Sequence, residues 1–265
     1  MRDWDPALYT RFEDERTRPA HDLLARVPLK QAERIIDLGC GPGNSTELLA
    51  RRFPQAHCLG LDSSEAMIAS ARHRLSNSEL GRHCHFERTD VASWQPEIAP
   101  DLIFANAVLQ WVPEHETLLP RLLGLLRPGG VLAIQMPDNR AEPSHRLMRE
   151  IAADGPWSGL LGDPETLRLK LPLPPQTHYD LLTPLADGID LWHTTYVHPM
   201  ESPDAIVSWL KGTGLKPFVE PLPPEMQAAF LARYREAIAK AYPAQADGKR
   251  LLFFPRCFLV ARRKM

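Results

Sequence analysis

The sequence predicts an α/β fold, a doubly wound parallel sheet with helices on both faces, followed by a mostly helical cover. Three observations predict it. Short apolar runs alternate with helical patterns up to residue 138, as in βαβ units. The first run, 34–38, leads into a turn with three alternate glycines at 39–43. Beyond residue 136 the alternation stops and proline becomes dense.

The predicted elements up to residue 138 follow in a regular order. The predicted strands are 34–38, 57–61, 83–88, 101–105 and 131–135. The predicted helices are about 6–25, 45–52, 65–75 and 114–126. Ser63 and Ser64 supply an N-cap before the third helix, and the Arg-Pro-Gly-Gly run at 127–130 ends the fourth. Strands joined by helical crossovers favour a parallel sheet.

The sequence pattern beyond residue 138 predicts a structure other than repeated βαβ units. Its proline-dense stretch predicts loops and short helices. Apolar alternation at 189–197 and 251–261 predicts two more strands, although Pro255 interrupts the second. Helical patterns occupy about 204–211 and 224–241.

These patterns predict one domain over residues 1–265. Within it we expect an N-terminal helical segment over the site (1–30), a cofactor-binding core (31–138), and a helical cover with the last two strands (139–265).

Composition excludes several function classes. The chain has 265 residues, a net charge of −2 and a pI near 6.6, so no general field favours nucleic acid or an anionic membrane. No apolar run approaches the 18 residues of a membrane span, and we expect no signal peptide. The four cysteines are widely spaced, which suits a reducing cytoplasm. The sequence leaves the oligomeric state open.

The glycine turn indicates what kind of ligand binds. Gly39, Gly41 and Gly43 fall at i, i+2 and i+4, whereas the dinucleotide fingerprint G-x-G-x-x-G needs its third glycine at i+5. A carboxylate at Asp37 would repel a pyrophosphate and attract a cation. S-adenosylmethionine carries an ammonium and a sulfonium and no phosphate. The turn, which Asn44 closes, therefore favours a methyl donor, although such a turn alone is as often an ordinary strand-to-helix connection.

Further candidate ligand residues follow the second and third predicted strands, where open α/β sheets bind ligands. Asp62, with Ser63 beside it, is placed to accept hydrogen bonds from two ribose hydroxyls; the alternative is a helix N-cap. Asp90 and Val91 are placed to meet an adenine ring, and the alternative for Asp90 is turn chemistry.

The fourth predicted strand also ends in polar candidates. Asn106 and Gln110 are placed to line the region of methyl transfer. Trp111 is a third candidate there, and its alternative role is core packing.

These residues resemble the class I S-adenosylmethionine-dependent methyltransferases over about residues 30–138. The run 38–43 resembles their glycine motif, and Asp62, Asp90 and 126–130 match later landmarks in order and spacing. The resemblance implies a Rossmann-like, seven-stranded sheet whose last strand is antiparallel. It also implies that Asp37 and Gly39 lie near the methionine moiety of the cofactor, Asp62 near its ribose, and Asp90 with Val91 near its adenine.

A closer resemblance spans nearly the whole chain, to the members of this family that methylate trans-aconitate. It rests on segments outside the general cofactor motifs, and the proline-rich stretch 155–176 departs from it. The resembling segments are 3–9, 15–20, 101–107, 109–111, 135–139, 254–256 and 260–263. The resemblance implies methyl esterification of one carboxylate of a small polycarboxylate substrate.

That reaction needs positioning rather than a general base, because a carboxylate with a pKa of about 4 is already ionised at pH 7. We therefore expect no catalytic acid or base. Anion-binding side chains must instead hold the other carboxylates, and arginine suits this best. The candidate substrate-binding residues are Arg256, Arg140, His145, Tyr179 and Tyr9.

Other readings of these residues stay open. Arg256 would alternatively pair with a structural acid, His145 would be solvated or cap a helix, and the two tyrosines would pack. The histidines at 83 and 85 lack a nearby third ligand, so we expect no metal. The alternative functions are methylation of another acid, an amine or a phenol, nicotinamide oxidoreduction, and S-adenosylmethionine binding without catalysis.

Overall fold

The computed structural model describes residues 13–167 and 173–265, which contain a seven-stranded sheet. Its strands are β1 (Arg34–Leu38), β2 (His57–Asp62), β3 (Cys84–Arg88), β4 (Leu102–Asn106), β5 (Val131–Pro137), β6 (Ala186–Met200) and β7 (Arg250–Arg263). Their order across the sheet is β3-β2-β1-β4-β5-β7-β6. All seven predicted strands are therefore confirmed, and the last two are longer than the apolar alternation indicated.

Five strands of the sheet are parallel, and β7 is not. β1 lies between β2 and β4, with Asp37 opposite Gly60 on one side and Phe104 on the other. Arg263 donates its backbone N–H to Gly130 before the start of β5 (2.8 Å), and Asp138 donates to Pro255 just past its end (2.9 Å). β7 therefore runs antiparallel to β5, as the resemblance implied.

Ten helices occupy the described residues. They are α1 (Glu13–Ala25), α2 (Asn44–Arg52), α3 (Glu65–Leu75), α4 (His115–Leu125), α5 (Pro143–Ala153), α6 (Ser158–Leu161), α7 (Pro175–Leu182), α8 (Pro203–Lys211), α9 (Lys216–Val219) and α10 (Pro224–Ala241). Short 3-10 turns add Glu79–His83 and Leu109–Trp111.

Proline starts helices in the second half as well as breaking them. α5, α7, α8, α9 and α10 each have a proline in the first helical turn. Proline is tolerated there because the first N–H groups of a helix have no partner within it. The stretch that was predicted to be loops and short helices therefore includes the eleven-residue α5.

The described chain divides into two compact units. The core unit comprises 13–137, 173–194 and 257–265, and the second unit comprises 138–167 and 195–256. The residues of β6 and β7 are divided between these units. The expectation of one domain with a cover in 139–265 stays a prediction.

The core unit is built on buried apolar strands. All five residues of β4 are buried, as in a central parallel strand covered on both faces. At the amino ends of the strands, the buried carboxylate of Asp101 accepts the backbone N–H groups of Glu33 and Arg34, each at 2.7 Å, and pairs with Arg127. This carboxylate fixes the amino end of β4 against β1.

The second unit has its own aromatic core. Trp157 meets Phe230 edge to face, with ring centroids 5.0 Å apart. The hydroxyl of the buried Tyr234 donates to the carbonyl of Ser144 at 2.7 Å, and the backbone N–H of Ser144 donates to the Tyr242 hydroxyl at 3.0 Å. These two bonds tie the start of α5 to α10 and its C-terminal end.

All four cysteines are buried, and none forms a disulfide with another. Across the two described ranges, every helix is too short or too polar to span a bilayer.

A buried histidine in the core unit links stability to pH. His178 on α7 is fully buried, and in the described part of the chain neither ring nitrogen has a hydrogen-bond partner. Burial, together with His115 and His193 nearby, lowers the pKa of His178 from 6.5 to about 4. The folded protein therefore keeps this ring neutral at pH values where the unfolded chain protonates it.

The free energy of unfolding should fall as the pH falls from 7 to 5, because the unfolded state then binds a proton that His178 in the folded state does not. The loss from this group is about 2 kcal/mol. We expect His178→Leu to remove that loss in urea titrations at the two pH values, whereas the surface control His73→Gln keeps it. An unchanged pH dependence in His178→Leu would show that His178 is protonated in the folded protein.

Candidate functional site

The candidate site of the core unit lies at the carboxyl ends of β1, β2 and β4. Parallel register brings the ends of neighbouring strands to one edge, with Leu38 opposite Leu61 and Ala105. The glycine turn is joined to the end of β2, because Gly41 donates its backbone N–H to Asp62 Oδ2 at 3.0 Å. The predicted cofactor residues that end these three strands therefore share one edge of the sheet.

Asp37 is the most buried carboxylate of this edge. Its side chain is fully buried, and Oδ2 accepts hydrogen bonds from the Ser45 hydroxyl (2.7 Å) and the Thr46 hydroxyl (2.6 Å). Burial raises the pKa of the Asp37 carboxyl from 3.8 to about 7, against the opposing effect of the two hydroxyls. Its Oδ1 has no hydrogen-bond partner within the described ranges. A cationic donor placed there would restore the carboxylate to its charged form.

The three glycines of the turn differ in what a Cβ atom at each position would contact. All have positive φ, at 65° for Gly39, 54° for Gly41 and 90° for Gly43. A Cβ at Gly39 would lie 2.2 Å from Val108 Cγ2, and one at Gly43 would lie 3.1 Å from the backbone of Ala71. Among the described residues, no atom lies within 4 Å of a Cβ placed at Gly41. Gly41 therefore faces open space, where a ligand can approach the backbone.

The end of β4 and the turn after it supply two more acceptors, Asn106 and Gln110. Asn106 is buried, and Gln110 donates its Nε2 group to the carbonyl of Ala107 at 2.7 Å. Asn106 Oδ1 and Gln110 Oε1 are buried without a partner in the part of the chain that the structure describes. Ala107 between them has a φ of 57°, which is strained for a residue with a side chain. Trp111 is half-buried, and its backbone N–H donates to Val108 at 2.9 Å.

Three buried oxygens of this edge have no hydrogen-bond partner among the described residues. Asp37 Oδ1, Asn106 Oδ1 and Gln110 Oε1 are oxygens that accept hydrogen bonds. Buried acceptors without partners are costly, so a ligand with several donors and positive charge would be stabilised there. The ammonium of S-adenosylmethionine is such a group, and the open face at Gly41 provides room. The residues therefore fit this cofactor and disfavour a pyrophosphate.

Asp62 has structural bonds as well as a predicted ligand role. Its Oδ1 accepts the backbone N–H of Ser64 at 2.9 Å. The N-cap of α3 is Ser64, whose hydroxyl accepts from Met67, so the N-cap alternative for Asp62 is wrong. A carboxylate has about four acceptor positions, so these bonds do not prevent Asp62 from also accepting hydrogen bonds from a ribose. The ribose role of Asp62 stays a prediction. Ser63 is exposed, and its carbonyl accepts from Arg88 at 3.1 Å.

Three further cofactor candidates of the core unit, Asp90, Val91 and Asn44, have contacts within the protein that neither support nor exclude their predicted roles. Asp90 is exposed and forms an Asx-type turn, with Oδ1 accepting from Ala92 at 3.0 Å. Val91 is buried in the main apolar cluster. Asn44 is buried and donates from Nδ2 to the Thr17 hydroxyl on α1 at 2.9 Å. Adenine contact by Asp90 and Val91 and cofactor binding by Asn44 remain predictions.

The second unit gathers two of the predicted substrate residues around Phe254. Arg256 on β7 is 4% exposed, and its guanidinium carbon lies 4.9 Å from the Phe254 ring centroid. His145 on α5 is 2% exposed, and its ring meets Phe254 edge to face at 6.0 Å. Its Nδ1 lies 3.1 Å from the Ser144 hydroxyl. His145 is therefore held in a fixed orientation, and the solvated alternative is wrong.

The other substrate candidates lie elsewhere or have other partners. Arg140 forms an ion pair with Glu165, and Arg149 reaches the same carboxylate at 2.9 Å. Tyr179 is 51% exposed on α7 and belongs to the core unit. Tyr9 lies outside the described residues. Substrate contact by these three stays a prediction.

Sequence reasoning missed several residues that shape the site. Ser45 and Thr46 hold Asp37, and the signal for them was two hydroxyl residues directly after the glycine turn. Val108 occupies the space beside Gly39, and no local pattern in the sequence indicates that contact. Gln135, fully buried opposite Asn106 in the sheet, was likewise missed because it lies inside an apolar strand.

Of the two histidines that flank Cys84, His83 takes part in ring packing. His83 meets His57 edge to face with centroids 5.4 Å apart. Among the residues that the structure describes, no group of three or more His, Cys, Asp or Glu side chains has the arrangement of a metal site.

Comparison with known proteins identifies relatives along the whole chain. A family model described as a methyltransferase domain matches residues 29–162. A protein of Variovorax paradoxus (strain S110), named trans-aconitate 2-methyltransferase, is 60% identical over 100% of both chains. A protein of the same name from Paracidovorax citrulli (strain AAC00-1) is 61% identical over 99% of both chains.

A solved structure supports the fold. Phosphoethanolamine N-methyltransferase 2 of Haemonchus contortus, in complex with phosphomonomethylethanolamine and S-adenosylhomocysteine, is similar with a TM-score of 0.55. The match covers 94% of this chain and 53% of that chain at 16% identity, so it bears on the fold alone. The Rossmann-like class I methyltransferase fold predicted from the sequence is confirmed.

The raised pKa of Asp37 should make cofactor binding depend on pH. Below about pH 7 the carboxyl is protonated and attracts a cation less, so we expect affinity for S-adenosylmethionine to increase from pH 6 to pH 8 with release of a proton. Calorimetry in two buffers of different ionisation enthalpy measures that proton.

Asp37→Asn should bind the cofactor about 10-fold or more weakly at pH 8, with a flat pH profile. The surface control Glu65→Gln should leave affinity and proton release unchanged. Proton release that persists in Asp37→Asn would assign the titrating group to another residue.

Two alanine substitutions in the glycine turn should separate folding from binding. We expect Gly39→Ala to lower the free energy of unfolding by several kcal/mol, because its Cβ overlaps Val108 and its φ is positive. Gly41→Ala should cost about 1–2 kcal/mol of stability for its positive φ and mainly weaken cofactor binding. Urea titration and calorimetry measure the two effects. Cofactor affinity unchanged in Gly41→Ala would mean that the ligand does not approach Gly41.

Proposed function

Because this chain belongs to the trans-aconitate 2-methyltransferase family of S-adenosylmethionine-dependent methyltransferases, we propose that it converts trans-aconitate to a monomethyl ester. The methyl group passes directly to one carboxylate oxygen. The observation that carries the substrate class is Arg256, a guanidinium 4% exposed among aromatic rings on β7. Such a group offers two parallel N–H donors to a carboxylate.

The reaction does not require the protein to transfer a proton. A carboxylate oxygen is already an anionic nucleophile at pH 7, so no side chain has to remove a proton. When bound, S-adenosylmethionine supplies an electrophilic methyl group on a positively charged sulfur. The residues of this chain therefore act by binding, orienting and excluding water. Positioning of this kind lowers a barrier by about 7–11 kcal/mol.

Asp37, Asn106 and Gln110 are proposed to hold the ammonium end of the cofactor, and the backbone at Gly41 to pass close to it. Asp37 is buried and bonded to Ser45 and Thr46, so its position is fixed before the ligand arrives. A fixed acceptor does not have to reorganise during the reaction, which favours a defined pose of the reactive methyl group.

Arg256 is proposed to hold a carboxylate that is not methylated. A strong clamp on the reacting carboxylate would stabilise its negative charge, which the reaction consumes, and so would slow the transfer. A clamp on another carboxylate orients the acid without that penalty. Arg256 therefore contributes to affinity and orientation, and His145 is proposed to assist it.

We also propose a cytoplasmic location, supported by four buried cysteines that form no disulfide with one another. The two alternative functions are methylation of a different small acid and cofactor binding without turnover. The first would keep the acceptors of the core unit and change the preferred acid.

The direct test of the function is transfer of radiolabelled methyl from S-adenosylmethionine to a panel of acids. The panel is trans-aconitate, cis-aconitate, citrate, isocitrate and a fatty acid. We expect label mainly in trans-aconitate, as an ester that base hydrolyses. Label mainly in another acid would change the substrate, and cofactor binding without transfer to any acid would refute the enzymatic function.

Removing the guanidinium should separate substrate binding from cofactor binding. We expect Arg256→Gln to raise KM for trans-aconitate about 10- to 100-fold, because it loses hydrogen bonds to a charged group, and to change KM for S-adenosylmethionine less than 2-fold. Arg256→Lys should give an intermediate value. The control Arg235→Gln removes an exposed guanidinium that pairs with Asp204 and should change neither constant. Equal effects of Arg256→Gln on both constants would mean that Arg256 is structural.

A further inference from the structure

The turn that follows β3 carries the predicted adenine residues Asp90 and Val91. The backbone N–H of Thr89 donates to the carbonyl of Asp62 at 3.0 Å, so β3 stays paired with β2 up to the start of the turn. Asp90 therefore begins the turn beside the carboxyl end of β2, on the edge of the sheet where the other cofactor candidates lie.

The first end of this turn is fixed by Asp90 itself. Its carbonyl accepts the backbone N–H groups of Ser93 (3.3 Å) and Trp94 (3.0 Å), and its Oδ1 accepts that of Ala92 (3.0 Å). The bond from Trp94 reaches back four residues, as in an α-helix. Residues 90–94 are thus a single helical turn, and the carboxylate of Asp90 caps its start.

The other end of the turn is held by Arg121 on α4. Its Nη2 group donates to the carbonyls of Val91 (3.1 Å) and Ala92 (2.8 Å), and its Nη1 group donates to the carbonyl of Trp94 (2.7 Å). The last carbonyls of a helical turn have no N–H partner within it, and they carry partial negative charge. A guanidinium supplies both the donors and the positive charge that these carbonyls need.

Apolar packing and these hydrogen bonds constrain the turn in different ways. Val91 and Trp94 belong to the apolar cluster that includes Leu118 of α4. Such packing is non-directional, and it holds the side chains of the turn against the helix. The three bonds from Arg121 are directional, so they set the orientation of the peptide groups next to Asp90.

The position of the Asp90 side chain depends on that backbone. Asp37 is fixed by complete burial, whereas Asp90 is exposed. An exposed carboxylate keeps one position only as far as its own backbone does. Ordering a loose turn when the ligand binds costs free energy that a turn fixed beforehand does not.

We propose that Arg121 is a positioning residue for the adenine end of the cofactor. By holding the carbonyls of the turn, it keeps the Asp90 carboxylate in place to accept a hydrogen bond from the adenine amino group, with Val91 at the ring edge. This inference rests on the cofactor part of the proposed function, and it is independent of the acid that is methylated.

The test compares two ligands that differ in the base. S-adenosylhomocysteine has the amino group, and S-inosylhomocysteine has an oxygen in its place that cannot donate to Asp90. Calorimetry measures both dissociation constants, and their ratio reports recognition of the base because the ribose and homocysteine are shared. We expect the wild-type protein to prefer S-adenosylhomocysteine about 10-fold or more, and Arg121→Gln to reduce that preference to below about 3-fold.

A double variant shows whether Arg121 acts through Asp90. Asp90→Asn places an amide in the turn, which can donate as well as accept, and should lower the preference as Arg121→Gln does. The double variant should then have the preference of Asp90→Asn alone, because substitutions that remove one shared interaction are not additive. Two independent effects, whose factors multiply in the double variant, would overturn the inference.

Two further variants control for charge and for folding. Arg121→Lys keeps the charge but lacks the planar fork, so it should give an intermediate preference, and it decides the test if Arg121→Gln does not fold. Arg72→Gln removes a guanidinium that donates from α3 to the carbonyl of Phe86 at 2.8 Å, outside the turn. We expect Arg72→Gln to keep the wild-type preference.

Equal weakening of both ligands in Arg121→Gln, with the preference kept, would show that Arg121 is only structural. A wild-type protein without any preference would show that Asp90 does not contact the base. Both results would overturn the inference while leaving methyl transfer to trans-aconitate intact. If the preference changes as expected but no acid is methylated, the proposed function fails and the role of Arg121 stands.

Discussion

The burial of the Asp37 carboxylate is the constraint on which the cofactor site depends. The strand β1 carries this acid to the edge of the sheet, and the Ser45 and Thr46 hydroxyls hold one of its oxygens there. Burial raises its pKa to about 7, so the charged form is costly in the protein alone and favourable beside a cation. We propose that the glycine turn and the acceptors Asn106 and Gln110 bind the same group of the ligand. On this proposal, recognition of the cofactor depends on its positive charge.

The second unit has the opposite chemistry. Arg256 and His145 can donate hydrogen bonds, and both lie beside Phe254. The core unit instead has buried acceptors that lack a partner among the described residues. A cationic methyl donor and an anionic acceptor require such a division of charge. Neither set contains a residue that must move a proton. The enzyme is therefore expected to work through geometry and electrostatics, with specificity for the acid supplied by the number and placement of donors.

The sequence allowed the fold and the cofactor edge to be predicted because their signals are local. Apolar runs with helical crossovers indicate parallel strands, and an acid before alternate glycines indicates a turn for a cation. Val108 beside Gly39 and Phe254 beside His145 could not be predicted this way. These contacts join residues 69 and 109 positions apart in sequence, and only the folded chain brings them together. For Asp90 the local pattern allowed two interpretations, a turn and a ligand contact. The hydrogen bond from Ala92 shows the turn, and it gives no information about a ligand.

The crystal structure of the protein with S-adenosylhomocysteine, which keeps the ammonium group, tests the central claim most directly. We expect the ammonium nitrogen about 3 Å from at least one of Asp37 Oδ1, Asn106 Oδ1 and Gln110 Oε1, or joined to one by a single water. An ammonium bound away from all three oxygens, with Asp37 still buried and unpaired, would contradict it.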